Sequence, residues 1–116
     1  MTGQKFDIII NRLSGTVMRL GEEEVRRQLE KQFGDKLGDL TFIDGKDIAS
    51  SVQGWLKKNT DRGIIIGGGD GTVLTAATQI IEREDKSKEI TLGILPLGTH
   101  NLFARQLGFA ADFAKA

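Results

Sequence analysis

Cysteine is absent from the 116 residues. That excludes a disulfide framework and any cysteine-ligated zinc or iron–sulfur site, and it fits a reducing compartment. Histidine occurs once, at His100, and proline once, at Pro96. A lone histidine at a helix start reads as a surface residue rather than a general base. Charge of one sign is also missing: 16 Lys and Arg balance 16 Asp and Glu, for a formal net charge of zero. Bulk charge therefore gives no reason to expect a nucleic acid partner or an anionic surface. No apolar run approaches the ~20 residues that cross a bilayer. The opening residues, Met1-Thr2-Gly3-Gln4-Lys5-Phe6-Asp7, have no signal-peptide pattern. The expectation is a soluble, cytoplasmic protein.

Glycine, by contrast, is abundant. There are 15, against about 8 at the ~7% usage of ordinary proteins. They cluster where hydrophobic runs end, which marks turns with special backbone demands. Four short runs read as strands, at 6–10, 40–43, 63–66 and 90–95. The third, centred on Ile64-Ile65-Ile66, is continuously apolar, as in a parallel strand covered on both faces.

Helical patterns lie between and after the strands. Residues 22–33 carry Val25, Leu29 and Phe33 at four-residue spacing, with an acidic first turn and Gly34 as a stop. Residues 46–58 carry Ile48, Val52, Trp55 and Leu56; residues 72–83 carry Val73, Ala76, Ala77 and Ile80. A short helix is expected at 100–107, and the first turn of another at 112–116. Strand–helix alternation argues one α/β domain, an open parallel sheet flanked by helices on both faces. The expected strand order is 2-1-3-4, which brings the ends of the first, third and fourth strands together at a switch point.

Three polar loops then share one sheet edge. Gly67-Gly68-Gly69-Asp70-Gly71-Thr72 joins the buried third strand to a helix start. Free N–H donors, the helix dipole and close-approaching glycine backbone make this chemically a phosphate site. The reading without a ligand is a tight turn with Asp70 or Thr72 as helix cap. No G-x-x-x-x-G-K-[ST] motif is present, and Thr72 stands where a dinucleotide fingerprint needs its third glycine. The Asp70 carboxylate needs a metal, a water or a hydroxyl between it and any phosphate. After the fourth strand come Pro96-Leu97-Gly98-Thr99-His100-Asn101 and, one turn on, Arg105. Thr99 and Asn101 suit capping or ligand donation. Arg105 suits a phosphate or a carboxylate such as Asp70. After the first strand, Asn11 and Ser14 are ordinary turn residues that gain weight from the other two loops.

Together, Asn11, Ser14 and Gly15, the Gly68-Gly69-Asp70-Gly71-Thr72 run, and Pro96-Leu97-Gly98-Thr99-x-Asn101-x-Phe103-Ala104-Arg105 resemble the diacylglycerol kinase catalytic-domain family. That family includes sphingosine and ceramide kinases and bacterial lipid kinases. The resemblance implies a Rossmann-like fold of the NAD kinase and diacylglycerol kinase N-terminal type. It implies ATP and Mg2+ as cofactors, with transfer of the γ-phosphate to a lipid hydroxyl such as that of diacylglycerol. By the same resemblance Gly68, Gly69, Gly71 and Thr72 cradle phosphate. Asn11, Ser14, Thr99, Asn101 and Arg105 complete the nucleotide set. Asp70 orients the acceptor hydroxyl or a magnesium-bound water, and no residue is assigned as a direct metal ligand.

The resemblance also implies partners: ATP, a lipid met at a membrane surface, a C-terminal β-rich domain of the same chain, and a second copy as a homodimer. Residues 1–116 are expected to be a fragment without that second domain, inactive alone. Arg12 stands where the family often has proline, which adds a candidate phosphate cation. An NAD kinase, or a non-catalytic nucleotide- or lipid-binding module, is the alternative.

Overall fold

The computed structural model describes residues 4–58 and 60–97 and the backbone of 112–115. The strands are β1 (Phe6–Asn11), β2 (Leu37–Ile43), β3 (Gly63–Gly68), β4 (Thr91–Pro96) and β5 (Asp112–Lys115). The helices are α1 (Gly15–Leu20), α2 (Glu22–Phe33), α3 (Ile48–Lys58) and α4 (Asp70–Ile81). The sheet order is β2-β1-β3-β4-β5. β1 to β4 are mutually parallel, and β5 runs antiparallel against β4.

The expected order of the first four strands is thus present. The expected helical turn at 112–116 is corrected to a strand. The edge of β4 offers N–H and C=O groups that an extended segment satisfies, and β5 pairs there. α1 was not expected, because its six residues carry too short a pattern to show a helical period. The helix expected at 100–107 lies outside the described residues.

Isoleucine explains the sheet. Ile8, Ile9 and Ile10 in β1 pair with Ile65, Ile66 and Gly67 in β3, and all five isoleucines are buried. Side chains alternate between faces, so two cores form. One gathers Ile8, Ile10, Ile65 and Leu95 under Val17 of α1 and Val25 and Leu29 of α2. The other gathers Ile9, Ile64 and Ile66 under Ile48, Val52 and Trp55 of α3 and Ala76 and Ile80 of α4. Each buried isoleucine contributes roughly 1.5–3 kcal/mol of transfer free energy.

A register irregularity sits at the start of β1, where Phe6 pairs with Leu37 and Ile8 with Leu40. β2 thereby carries one residue more than β1 over this stretch. The irregularity accommodates Asp7, whose side chain is almost fully buried at the pole of the sheet opposite the glycine turn. Asp39 N–H donates to Asp7 Oδ1 at 2.7 Å, Trp55 Nε1 to Oδ2 at 2.9 Å and Arg62 Nη1 to Oδ1 at 2.9 Å. A Cβ at Gly38 would overlap Asp7 Oδ1, so the extra residue beside the carboxylate has to be glycine. Burial pushes the Asp7 carboxyl up, but the Asp39 amide, the Trp55 indole and the Arg62 guanidinium outweigh it and hold the group below 3.8.

Asp7→Asn is expected to cost about 2 kcal/mol at pH 7, since it puts an amide donor among three donors. The folded-state pKa is depressed, so the carboxylate's contribution is complete above the ordinary range and is lost as pH falls through the folded value. Urea midpoints of wild type and variant should therefore differ at neutral pH and converge as pH falls through the depressed folded value of Asp7. An equal gap at both pH values would refute the charge argument.

Candidate functional site

Parallel pairing puts the ends of β1, β3 and β4 on one edge, and their loops are stitched together by backbone bonds. Leu97 N–H, just past β4, donates to Gly68 O at 3.1 Å, and Thr16 N–H of α1 donates to Leu97 O at 3.1 Å. β2 joins them through Arg12 N–H, which donates to Ile43 O at 2.8 Å.

Gly68 ends β3 with φ +157°, and a Cβ there would lie 2.8 Å from Thr72 Cβ and 3.0 Å from its Oγ1. The fold itself therefore requires glycine at 68. Gly69 and Gly71 are different. Neither has a positive φ, and a Cβ at either meets no described atom within 4 Å. Gly71 lies inside α4, where glycine is about 0.5–1 kcal/mol worse than alanine. Nothing among the described residues gives a reason for that choice.

Gly69 is the N-cap of α4, and no side chain caps the helix. Asp70 and Thr72 are therefore not caps. The first N–H groups of α4 lack intrahelical acceptors, and the dipole places about half a positive charge there. Asp70 is the first helical residue and is exposed.

Asn11 connects the first loop to this turn. Its Nδ2 donates to Thr72 Oγ1 at 3.0 Å, and its Oδ1 accepts Leu13 N–H at 2.9 Å. Ser14 is buried, and its Oγ donates to Asn11 O at 2.8 Å. It shapes the loop and does not face outward. Arg12, expected as a phosphate cation, is held elsewhere: Nη2 donates to Phe42 O at 2.9 Å, and Nε lies 3.5 Å from Glu22 and 3.9 Å from Asp44. Asn11, Gly68, Gly69, Asp70, Gly71 and Thr72 are thus brought to one edge. Thr99, Asn101 and Arg105 lie outside the described residues.

Two contributors escaped the sequence reading. Gly45, in the turn after β2, lies against the Asn11 amide, where a Cβ would sit 3.1 Å from Nδ2. Thr16, fully buried, ties α1 to the fourth-strand loop. The Asp44-Gly45-Lys46-Asp47 run was a turn signal in the sequence, and placing it at the same edge as Asn11 identifies Gly45.

A cavity of about 700 Å³ lies at the opposite pole, against Trp55, Arg62, Arg83 and Lys88. Size and chemistry disagree here, and chemistry decides. Arg62 is bound to Asp7, Arg83 to Ile80 O and Lys88 O, and Lys88 to Asp61. Asp61, Glu82, Glu84, Asp85 and Glu89 also line it, which opposes an anionic ligand.

The edge built by β1, β3 and β4 is the switch-point edge of an open α/β sheet, with a glycine turn opening a helix there. The profile of the diacylglycerol kinase catalytic domain matches residues 5–116. The chain belongs to the diacylglycerol kinase catalytic-domain family. It is similar to the probable lipid kinase YegS-like protein of Klebsiella pneumoniae (strain 342), at 51% identity over 53 residues. It is similar also to the protein of that name in Enterobacter sp. (strain 638), at 49%, and to the probable lipid kinase YegS of Escherichia fergusonii, at 47%, over the same length. Each match covers 46% of this chain and 17% of the relative. Among the described residues no helix is long and apolar enough to cross a membrane.

The two glycine classes should separate on substitution. Gly68→Ala is expected to destabilise by about 1–3 kcal/mol through its overlap with Thr72. Gly71→Ala is expected to leave stability unchanged or raise it by up to about 1 kcal/mol. Thermal or urea denaturation of the two variants checks this, and a destabilised Gly71→Ala would show that the fold needs that glycine.

Proposed function

We propose that this chain is the nucleotide-binding half of an ATP-dependent lipid kinase, which transfers the γ-phosphate of ATP to a lipid hydroxyl such as that of diacylglycerol. The observation that carries this is the pair Gly69 and Gly71: space kept open on the backbone at an uncapped helix start, with no demand from the fold. Gly68, Gly69, Gly71 and Thr72 bind the phosphates through N–H groups and the Thr72 hydroxyl. Thr99, Asn101 and Arg105 belong to the same nucleotide set on the strength of their motif. Family membership and the kinase names of the relatives support the activity class.

Asp70 is the carboxylate of the turn, exposed and free of any capping duty. A carboxylate this close to phosphates suits the acceptor alcohol as orienter, or a metal-bound water. Mg2+ is typically held by one or two carboxylates plus substrate phosphates, a set that Asp70 fits. When bound, the ion supplies charge neutralisation on the phosphates. Among the described residues no group of three acidic, histidine or cysteine side chains forms a ready-made metal site. Phosphoryl transfer requires that water be excluded, and on this reading a further domain of the full-length protein closes the site.

In the full-length protein, Asp70→Asn is expected to lower ATP-dependent phosphorylation of diacylglycerol and related lipids by roughly 100-fold or more while nucleotide affinity changes little. Gly71→Ala should do the reverse, weakening nucleotide binding in a protein of undiminished stability. Radiolabelled phosphate transfer across a lipid panel, with NAD as a control acceptor, measures this. Phosphorylation of NAD and of no lipid would move the assignment to the NAD kinases.

A further inference from the structure

The outward side of α4 is unlike that of its neighbours. α2 exposes Glu23, Arg27, Glu30 and Lys31, and α3 exposes Gln53, Lys57 and Lys58. Residues 71–81 of α4 carry no charge. The inward side of the helix is Ala76 and Ile80, with Val73 and Ala77 packed beside them. Leu74, Thr78 and Ile81, spaced i, i+4, i+7, form a second stripe on the opposite side. Leu74 is 68% exposed and Ile81 59%. Thr78 brings no unmet polar group to this stripe, because its Oγ1 donates to Leu74 O at 2.8 Å. Gln79 is engaged with α3, accepting from Gln53 Nε2 at 2.6 Å. A helix that is apolar on both sides is a helix covered on both sides.

We propose that the stripe Leu74–Thr78–Ile81 is an intramolecular docking face, covered in the full-length protein by an apolar, uncharged segment of the same polypeptide beyond residue 116. Three observations choose this occupant. The 53 residues matched in the Klebsiella relative are 17% of that protein, so a protein of this kind has ample further chain to supply the cover. Charge opposes a lipid surface. The stripe carries no lysine or arginine and is bounded by Asp70 and Glu82, whereas interfacial helices flank their apolar face with cations. Area opposes a second copy. α4 has 12 residues, so its outward face is about 18 Å long and 10 Å wide, roughly 180 Å². A stable complex needs about 800 Å² per partner. A tethered segment is exempt from that demand, because linkage makes its encounter intramolecular. The glycine turn and Asp70 open this same helix. A segment gripping the outward side of α4 therefore fixes that turn relative to the rest of the protein.

The experiment is site-specific photo-crosslinking in the full-length protein. Benzoylphenylalanine replaces Leu74 in one variant, Ile81 in a second, and the exposed Lys31 of α2 in a control. The first two are expected to cross-link within one chain, to residues beyond 116 mapped by peptide mass spectrometry, with a yield unchanged on dilution. The control is expected to give no such product. A covalent dimer assigns the stripe to a second copy and overturns the proposal. Capture of phospholipid from added phosphatidylcholine–phosphatidylglycerol vesicles assigns it to a lipid surface and overturns it as well. A cross-link into residues 98–111 overturns it by making the cover local.

Thiol labelling reads the cover without a bulky probe. Residues 1–116 contain no cysteine, so Leu74→Cys, Ile81→Cys and Lys31→Cys each place a single thiol in this region. Maleimide labelling of the first two, followed peptide by peptide, is expected to be about 10-fold slower or more than at Lys31→Cys, because a covered thiol reacts only on local opening. Equal rates at all three positions leave the stripe in water and overturn the proposal. Neither measurement reads nucleotide binding or phosphate transfer, so a failure of the kinase reading leaves both outcomes intact.

Discussion

Two runs of consecutive isoleucine, lying side by side, constrain everything else in this molecule. Ile8–Ile10 and Ile64–Ile66 present β-branched side chains to both faces of the sheet, and neither face can be left in water. Burial on both sides demands helices on both sides. Helices on both sides demand crossover connections, and these make the strands parallel. Parallel strands end together, so the residues that follow β1, β3 and β4 have to meet. The chemistry at that edge follows from how the core is hidden.

The same constraint separates the two poles. At the start of the strands sits Asp7, a carboxylate nearly excluded from water and saturated by an amide, an indole and a guanidinium. At the end of the strands sits Asp70, a carboxylate with solvent around it and no capping bond. The first is a structural charge, since removing it strands three donors. The second makes no capping bond, so the start of α4 does not depend on it.

Much of this was legible before any coordinates, and the physical reasons differ by element. β3 announced itself through an unbroken apolar run, and α2 through Val25, Leu29 and Phe33 on one face. The end of α2 followed from Gly34. β2 was read four residues long because Leu37-Gly38-Asp39 breaks the strand pattern; only the tertiary need to place Asp39 N–H on Asp7 makes those residues extended. α1 has too few residues to show a period. Asp112–Lys115 looked helical locally and became a strand because β4 had an edge to fill. At the site, spacing sufficed to bring Asn11 and the glycine turn together. It did not reveal that Arg12 turns to β2, nor that Gly45 lies behind Asn11, because both depend on the register of a neighbouring strand.

The three glycines of the turn do not share one reason for being glycine. At Gly68 a side chain collides with Thr72, so the residue protects the hydroxyl's position. At Gly69 and Gly71 a side chain collides with nothing described, so packing sets no demand for glycine there. The proposed phosphate site is then a set of donors: N–H groups beside two glycines, and the Thr72 hydroxyl, which accepts from Asn11 Nδ2. Asp70 is the acceptor set beside them. A phosphate oxygen placed among the donors is held, and one placed against Asp70 is repelled unless a cation intervenes. An alcohol has the opposite preference, since it has a proton to give. On the proposed reading, the alternation of donor and acceptor over residues 68 to 72 sorts two substrates by polarity before any shape is considered. That is what a turn serving phosphoryl transfer to a hydroxyl requires of its backbone.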